Sequence, residues 1–231
     1  MNAKLKKKSV HALLLAFVLA SILFLLPDVT VDHDTGFVSS ELEVKETVEK
    51  NVTSTSYVNS EDTVTDAIDM GYATVQRTRN ANGQVTEEFY LDAAGNPVER
   101  YGEYYGISYK YNSENVVIKY LGADKQSMML GAGYSTIVRT LVDGKATDDS
   151  YYDLNMQPVQ CTSGYYGLHR EYDEQGLNRA ITYFDENRQP VICTAGYAAK
   201  TYLRDSEGTV IGGRYFDTEG NLYRKSKSRT V

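Results

Sequence analysis

The sequence predicts a mainly β chain: an elongated array of about five three-stranded repeats, preceded by an N-terminal transmembrane helix and a polar stalk. Three observations point there. A unit of about 31 residues recurs from Gly71 onward, Asp- and Gly-marked turns divide each unit at the same two places, and the composition holds 20 Tyr and 18 Gly but only 4 Pro and no Trp. That mix suits short strands joined by glycine turns better than a helical bundle.

Residues 12–26 read ALLLAFVLASILFLL, without a charge, behind Lys4, Lys6, Lys7 and Lys8 and ahead of Pro27. A basic stretch followed by an apolar run is the pattern of a secretory signal or a signal anchor. The run is slightly short of the roughly 20 residues that span a bilayer. No A-x-A cleavage pattern follows, since the next residues are Pro27-Asp28-Val29-Thr30-Val31-Asp32. An uncleaved anchor over 1–27 fits these residues better, while a cleaved signal, which would make the protein secreted, stays open. In both readings residues 10–27 meet the membrane, the lysines stay cytoplasmic and residues 28 onward lie outside. The chain is then expected in the cell membrane, single-pass, with its C-terminal portion outside.

Residues 28–70 are rich in Asp, Glu, Ser, Thr and Val and poor in large apolar groups, a composition that buries little surface and suggests a stalk. Ser40-Glu41-Leu42-Glu43 has the form of a capping box and predicts a short helix toward Lys50, against the preference of its β-branched valines. Ser60 predicts a second short helix through Met70, with Val64, Ala67 and Ile68 on one face and Gly71 as its stop.

The array, 71–231, is defined by self-similarity. Units begin at Gly71, near Glu103, and at Gly133, Gly164 and Gly196. Each opens on Gly-Tyr or a close relative. An alternating stretch, a turn and a second stretch follow, then an aromatic pair with D-x-x-G-x-P-V, and finally a third stretch. Asp at the head of a turn accepts hydrogen bonds from the backbone ahead of it, and Gly supplies the positive φ that closes it. First joints are Asn80-Ala81-Asn82-Gly83, Asp143-Gly144, Asp173 to Gly176 and Asp205 to Gly208, and second joints include Asp92 to Gly95 and Asp217 to Gly220. In units three and four Met156 and Arg188 replace the second-joint Gly. One such unit cannot bury a face alone, and stacked neighbours can.

The repeated [YF]-D-x-x-G pattern over 71–223 resembles tyrosine-aspartate (YD, or Rhs-type) repeats. More weakly, it is similar to the aromatic–Gly hairpin repeats of Gram-positive cell-wall-binding proteins. The unit here is longer than in either family, and no Trp is present for an aromatic cage. What the resemblance implies is a surface β array in contact with glycan.

Charge narrows the partners. Beyond the four N-terminal lysines, 20 basic residues face 31 acidic ones. An acidic body argues against nucleic acid, which binds through Lys and Arg on phosphates. Catalytic chemistry is sparsely supplied. Of three histidines only His169 lies in the array, where a Cys161/His169 pair is conceivable and a plain strand histidine is the simpler reading. Nothing has the clustered spacing of a metal site and no cofactor motif occurs, so neither a metal nor a cofactor is expected. Cys161 and Cys193 occupy equivalent positions in PVQCTSGY and PVICTAGY. They form either a disulfide between adjacent units or two buried small hydrophobes.

The aromatic pairs carry the functional expectation. Neighbours on a strand point to opposite faces, so one of each pair packs inside and the other is free to line a surface strip. Tyr105, Tyr152, Tyr166, Tyr183 and Tyr215 are the candidate strip, suited to stacking on sugar rings or to protein contact. The expected function is that of a membrane-tethered extracytoplasmic binder of cell-envelope glycan or a surface partner, not an enzyme. The alternative is a structural spacer or accessory subunit of an envelope complex.

Overall fold

The computed structural model describes residues 42–67 and 70–223. The expected membrane segment and most of the first stalk helix's cap lie outside them. Twelve strands form one open antiparallel sheet whose order in space is the order in the chain. They are β1 (Glu43–Glu49), β2 (Val52–Val58), β3 (Thr74–Arg79), β4 (Val85–Leu91), β5 (Gly106–Tyr111), β6 (Asn115–Leu121), β7 (Thr136–Val142), β8 (Lys145–Tyr152), β9 (Gly167–Tyr172), β10 (Asn178–Phe184), β11 (Ala199–Arg204) and β12 (Val210–Phe216).

Each repeat is a hairpin followed by a loop that turns back on it. Three hairpin ends, headed by Asn80, Asp173 and Asp205, use the same turn as the loops. In the loops the Oδ1 of Asp92, Asp153, Asp185 and Asp217 each accepts two backbone N–H groups, two and four residues on. The fourth turn position needs positive φ, and Met156 and Arg188 adopt it at φ 60 where other units place Gly. Asp143-Gly144, with φ 50 and 77, forms the two-residue β7–β8 turn, as Asp-Gly between strands predicts.

The third stretch of each unit, expected as a strand, contributes a single bridge to the preceding strand, as in Leu91–Pro97, Tyr152–Pro158 and Phe184–Pro190. Ser127 and Leu222 form the same single bridge where other units have proline. Successive loops also bond each other: Thr162 N–H donates to the Ala132 carbonyl and Thr194 N–H to that of Ser163.

The helices expected within 40–70 need correction over the described residues. Residues 43–58 form β1 and β2, not a helix, and β2 pairs with β3 in the register of every later unit. Valines and threonines at alternate positions favour the pleated surface, and Lys50, at φ 56, sits in the turn between the two strands. No helix occurs over 60–67 either: Asn59 Oδ1 accepts from Glu61 and Thr63, and Val64 and Ala67 form bridges to Val58 and Tyr72. This segment is a sixth repeat, with Asn59 in the place of Asp.

One sheet face and the loops folded over it enclose the core. Eleven tyrosines run through it in a continuous ladder, from Tyr57 and Tyr72 through to Tyr197 and Tyr215. Successive ring centroids are 4.5–6.2 Å apart. Strand and loop tyrosines alternate along it. Each strand tyrosine is the first member of an aromatic pair or its equivalent, and the loop tyrosines follow the unit-opening residue, Gly71, Glu103, Gly133, Gly164 or Gly196. Val75, Ile107, Ile137 and Leu168 stand opposite the strand tyrosines and complete the row.

Gly106 and Gly167 mark where backbones approach most closely. A Cβ on Gly167 would lie 2.5 Å from the Asp149 carbonyl oxygen, and one on Gly106 equally close to that of Glu88. Gly167→Val is therefore expected to destabilise the array by about 1–3 kcal/mol, the usual cost of overpacking. A thermal melt unchanged from the parent would sink that reading of the glycine.

Candidate functional site

The second face of the sheet carries the residues that alternate with the ladder. Tyr152 on β8, Tyr166 just before β9 and Phe184 on β10 come together there, because Tyr166 N–H donates to the Phe184 carbonyl and its own carbonyl accepts from Tyr151 N–H. With Ser150, Pro158 and the loop residues Asp185, Glu186 and Arg188 they line a cleft of about 250 Å³. Aromatic walls with a rim of hydroxyl, carboxylate and guanidinium groups can stack on a ring and bond its hydroxyls.

The sequence-predicted strip is divided between the two faces. Tyr152 and Tyr166 are in the cleft. Tyr105 holds the position of Tyr166 two units earlier, where Leu91 and Leu121 take the places of Tyr152 and Phe184. Tyr183 and Tyr215 belong to the ladder, Tyr183 buried and Tyr215 41% exposed at its end. Phe184, the second member of its pair, is the cleft residue that the list of tyrosines passed over.

The loop beside the cleft is pinned. Arg188 Nη2 donates to Asp148 Oδ1 at 2.5 Å, and His169 Nδ1 lies 3.1 Å from the same oxygen. Burial pushes the Asp148 carboxyl up, and the bonds from Arg188 and His169 outweigh it and hold the group below its ordinary value. Lys125 repeats this tie two units earlier, donating to Glu87 at 2.7 Å. Both cations sit at the positive-φ turn position, where glycine would offer no side chain to make the bond.

His169 thus faces Asp148, not Cys161. Cys161 lies on the ladder side, near Tyr134 and Tyr151. Both cysteines are buried free thiols. Cys193 packs against Leu168, Ile181 and Tyr183. Their equivalents are Ala67, Leu130 and Arg100. Arg100 is buried with its guanidinium 4.9 Å from the Tyr72 ring centre and 5.7 Å from that of Tyr90, covering the ladder as a thiol does elsewhere. Among the described residues no group of three or more His, Cys, Asp or Glu side chains is gathered as for a metal.

A buried ion cluster went unread in the sequence. Asp149 on β8 accepts from Arg139 Nε at 2.6 Å and Nη2 at 2.8 Å across the hairpin, and from Arg170 Nη2 of β9 at 2.9 Å. Two units earlier Arg77 and Glu88 repeat the first pair at 3.0 Å. The signal was available as Arg and acid at matching hairpin positions, but their burial follows only from stacking.

No protein-family model matches the chain, and no curated protein matches it.

Proposed function

We propose that the chain is a membrane-tethered, extracytoplasmic repeat protein that binds cell-envelope glycan at the Tyr152–Tyr166–Phe184 cleft. The observation that carries this reading is the convergence of Tyr152, Tyr166 and Phe184 with a polar rim in one cleft. Pyranose rings present apolar faces and equatorial hydroxyls, and this is the surface that suits both. The apolar run of residues 12–26 is the tether, with the lysines ahead of it on the cytoplasmic side. The role is one of binding, without catalysis or cofactor. His169 is engaged by Asp148, and its partner Arg188 serves to fix the loop at the cleft's edge.

A second reading, a spacer that touches no glycan, is favoured by a different observation: 11 of the 20 tyrosines are spent on the internal ladder. Co-sedimentation of the full-length chain, in mild detergent, with purified cell wall separates the two. Each lost ring contact costs about 0.5–1.5 kcal/mol. The Tyr152→Ser, Tyr166→Ser double variant is therefore expected to bind about tenfold or more weakly than the parent, with its circular dichroism unchanged. Absence of wall binding by the parent chain would remove the glycan reading and leave the spacer.

A further inference from the structure

We propose that β12 of one chain is extended by β1 of a second copy, so that arrays join head to tail along the sheet. The two outermost strands are unequal. Among the described residues β1 pairs only with β2, while β12 pairs with β11 and, through Phe216, forms a single bridge to Leu222 of its own loop, as Phe184 does to Pro190 beside an occupied junction; nearly every residue of both strands is exposed. On β12 Ile211 is 67% exposed and Val210 47%, and on β1 Val48 is 71% and Val44 45% exposed. Free edges with apolar side chains are templates for another strand, and β12 has only Arg214 as a charged guard.

The repeat itself sets the register. At the five junctions between hairpins the residue before each strand tyrosine, or its equivalent Tyr57, stands opposite the same position of the next strand. The pairs are Ser56–Thr74, Phe89–Gly106, Lys119–Thr136, Ser150–Gly167 and Thr182–Ala199. Within the hairpins Val44 faces Tyr57 as Ile137 faces Tyr151, which makes Glu43 the equivalent of Thr136. Continued past Tyr215, that register places Glu43 of the second copy opposite Arg214, Val44 opposite Gly213 and Lys45 opposite Gly212.

Each of those pairs is favourable. Arg214 and Glu43 are opposite charges directly across strands, the arrangement that stabilises antiparallel pairs. Gly212 and Gly213 put no side chain in the way of Lys45 and Val44. Val44 continues the row of Val75, Ile107, Ile137 and Leu168. Pairing of β1 with another β1 would instead align strands that each carry Glu43, Glu46 and Glu49, and β12 with β12 gives Arg214 no acid. The contact is heterologous, between different surfaces, so it grows as open chains and does not close into a dimer.

Disulfide trapping in the full-length chain tests the register. A Glu43→Cys chain mixed with an Arg214→Cys chain in detergent under mild oxidation is expected to give a linked heterodimer, because directly opposed residues meet the Cα spacing a disulfide requires. Glu43→Cys mixed with Val210→Cys, about 14 Å out of register, is expected to give none. The proposal is overturned if the in-register mixture yields no heterodimer, as it would were residues 224–231 or another protein to cover β12. Equal yields in both mixtures, the mark of random collision, overturn it too. So does a sedimentation coefficient of the unmodified chain that stays constant as concentration rises.

Discussion

Asp149→Ala is expected to destabilise the array by about 3–5 kcal/mol, the usual cost of removing one partner from a buried ion pair. Asp149 is 0% exposed and Arg139 2%, so neither guanidinium can recover water when the carboxylate goes. The cluster also joins elements that the chain does not: Arg139 is on β7, Asp149 on β8 and Arg170 on β9, across the junction between two hairpins. In a quasi-one-dimensional array, weakening one junction uncouples the units on its two sides. Urea unfolding of the variant is therefore expected to separate into two transitions where the parent shows one. Burial drives the Asp149 carboxyl up, and the bonds and charges of Arg139 and Arg170 outweigh that and hold it below the ordinary carboxylate value. A depressed folded-state pKa gives stability that is present above the unfolded value, about 3.9, and is lost as pH falls through the folded one. Asp149→Asn should accordingly lose less stability than the parent between pH 4 and more acidic solution. An acid limb identical to the parent's would remove the cluster's structural role.

Much of the fold is legible in the sequence because its cues are local and recur. Asp with Gly three residues on dictates a turn wherever it occurs, so a period of about 31 residues and the hairpins between turns follow from residues in contact along the chain. The first repeat escaped because it lacks those cues. Asn59 stands for Asp, Asp62 holds the positive-φ place of Gly, and every residue of β1 is exposed, so its composition reads as solvated chain. Tyr57, a ladder residue 33 positions before Tyr90, was the one aromatic marker.

The candidate site was half legible for a related reason. Alternation assigns the two members of an aromatic pair to opposite faces, but which face is covered depends on where the loops fold. With Tyr151 opposite Ile137 and Tyr183 opposite Leu168 in their hairpins, and Tyr215 at the same position opposite Lys200, the second members, Tyr152, Phe184 and Phe216, form the other row. Choosing tyrosines in preference to pair positions admitted Tyr183 and omitted Phe184. The Arg139–Asp149 pair had a signature within its hairpin, but the burial of the cluster did not, since its third member, Arg170, comes from another hairpin.

Tyr151→Ala, at the centre of the ladder, is expected to cost about 3–5 kcal/mol, as truncation of a buried aromatic does. Its ring lies 4.6 Å from that of Tyr134 and 5.8 Å from that of Tyr165, with Ile137 opposite across the hairpin. Tyr151→Phe keeps those contacts and should cost far less, which separates packing from the hydroxyl. The hydroxyls nonetheless set the alkaline limit of the fold. Burial, foremost, and neighbouring tyrosines and acids raise Tyr90, Tyr109, Tyr120 and Tyr151 well above their ordinary value of 10.0. A folded-state pKa above the unfolded one gives stability that is complete below pH 10 and is lost as pH rises toward the folded values, about 1.4 kcal/mol per unit for each tyrosine. Because Tyr90, Tyr120 and Tyr151 belong to one ladder and Tyr109 interacts with Tyr104 and Tyr120 of it, ionising the first opens the way to its neighbours. Tyrosinate absorbance and β-sheet circular dichroism, followed together through an alkaline titration, are expected to show exposed tyrosines ionising first and the ladder only as the sheet unfolds. One smooth titration of all tyrosines near pH 10 with the sheet intact would mean that the ladder is hydrated and that the array is held by its turns and backbone bonds alone.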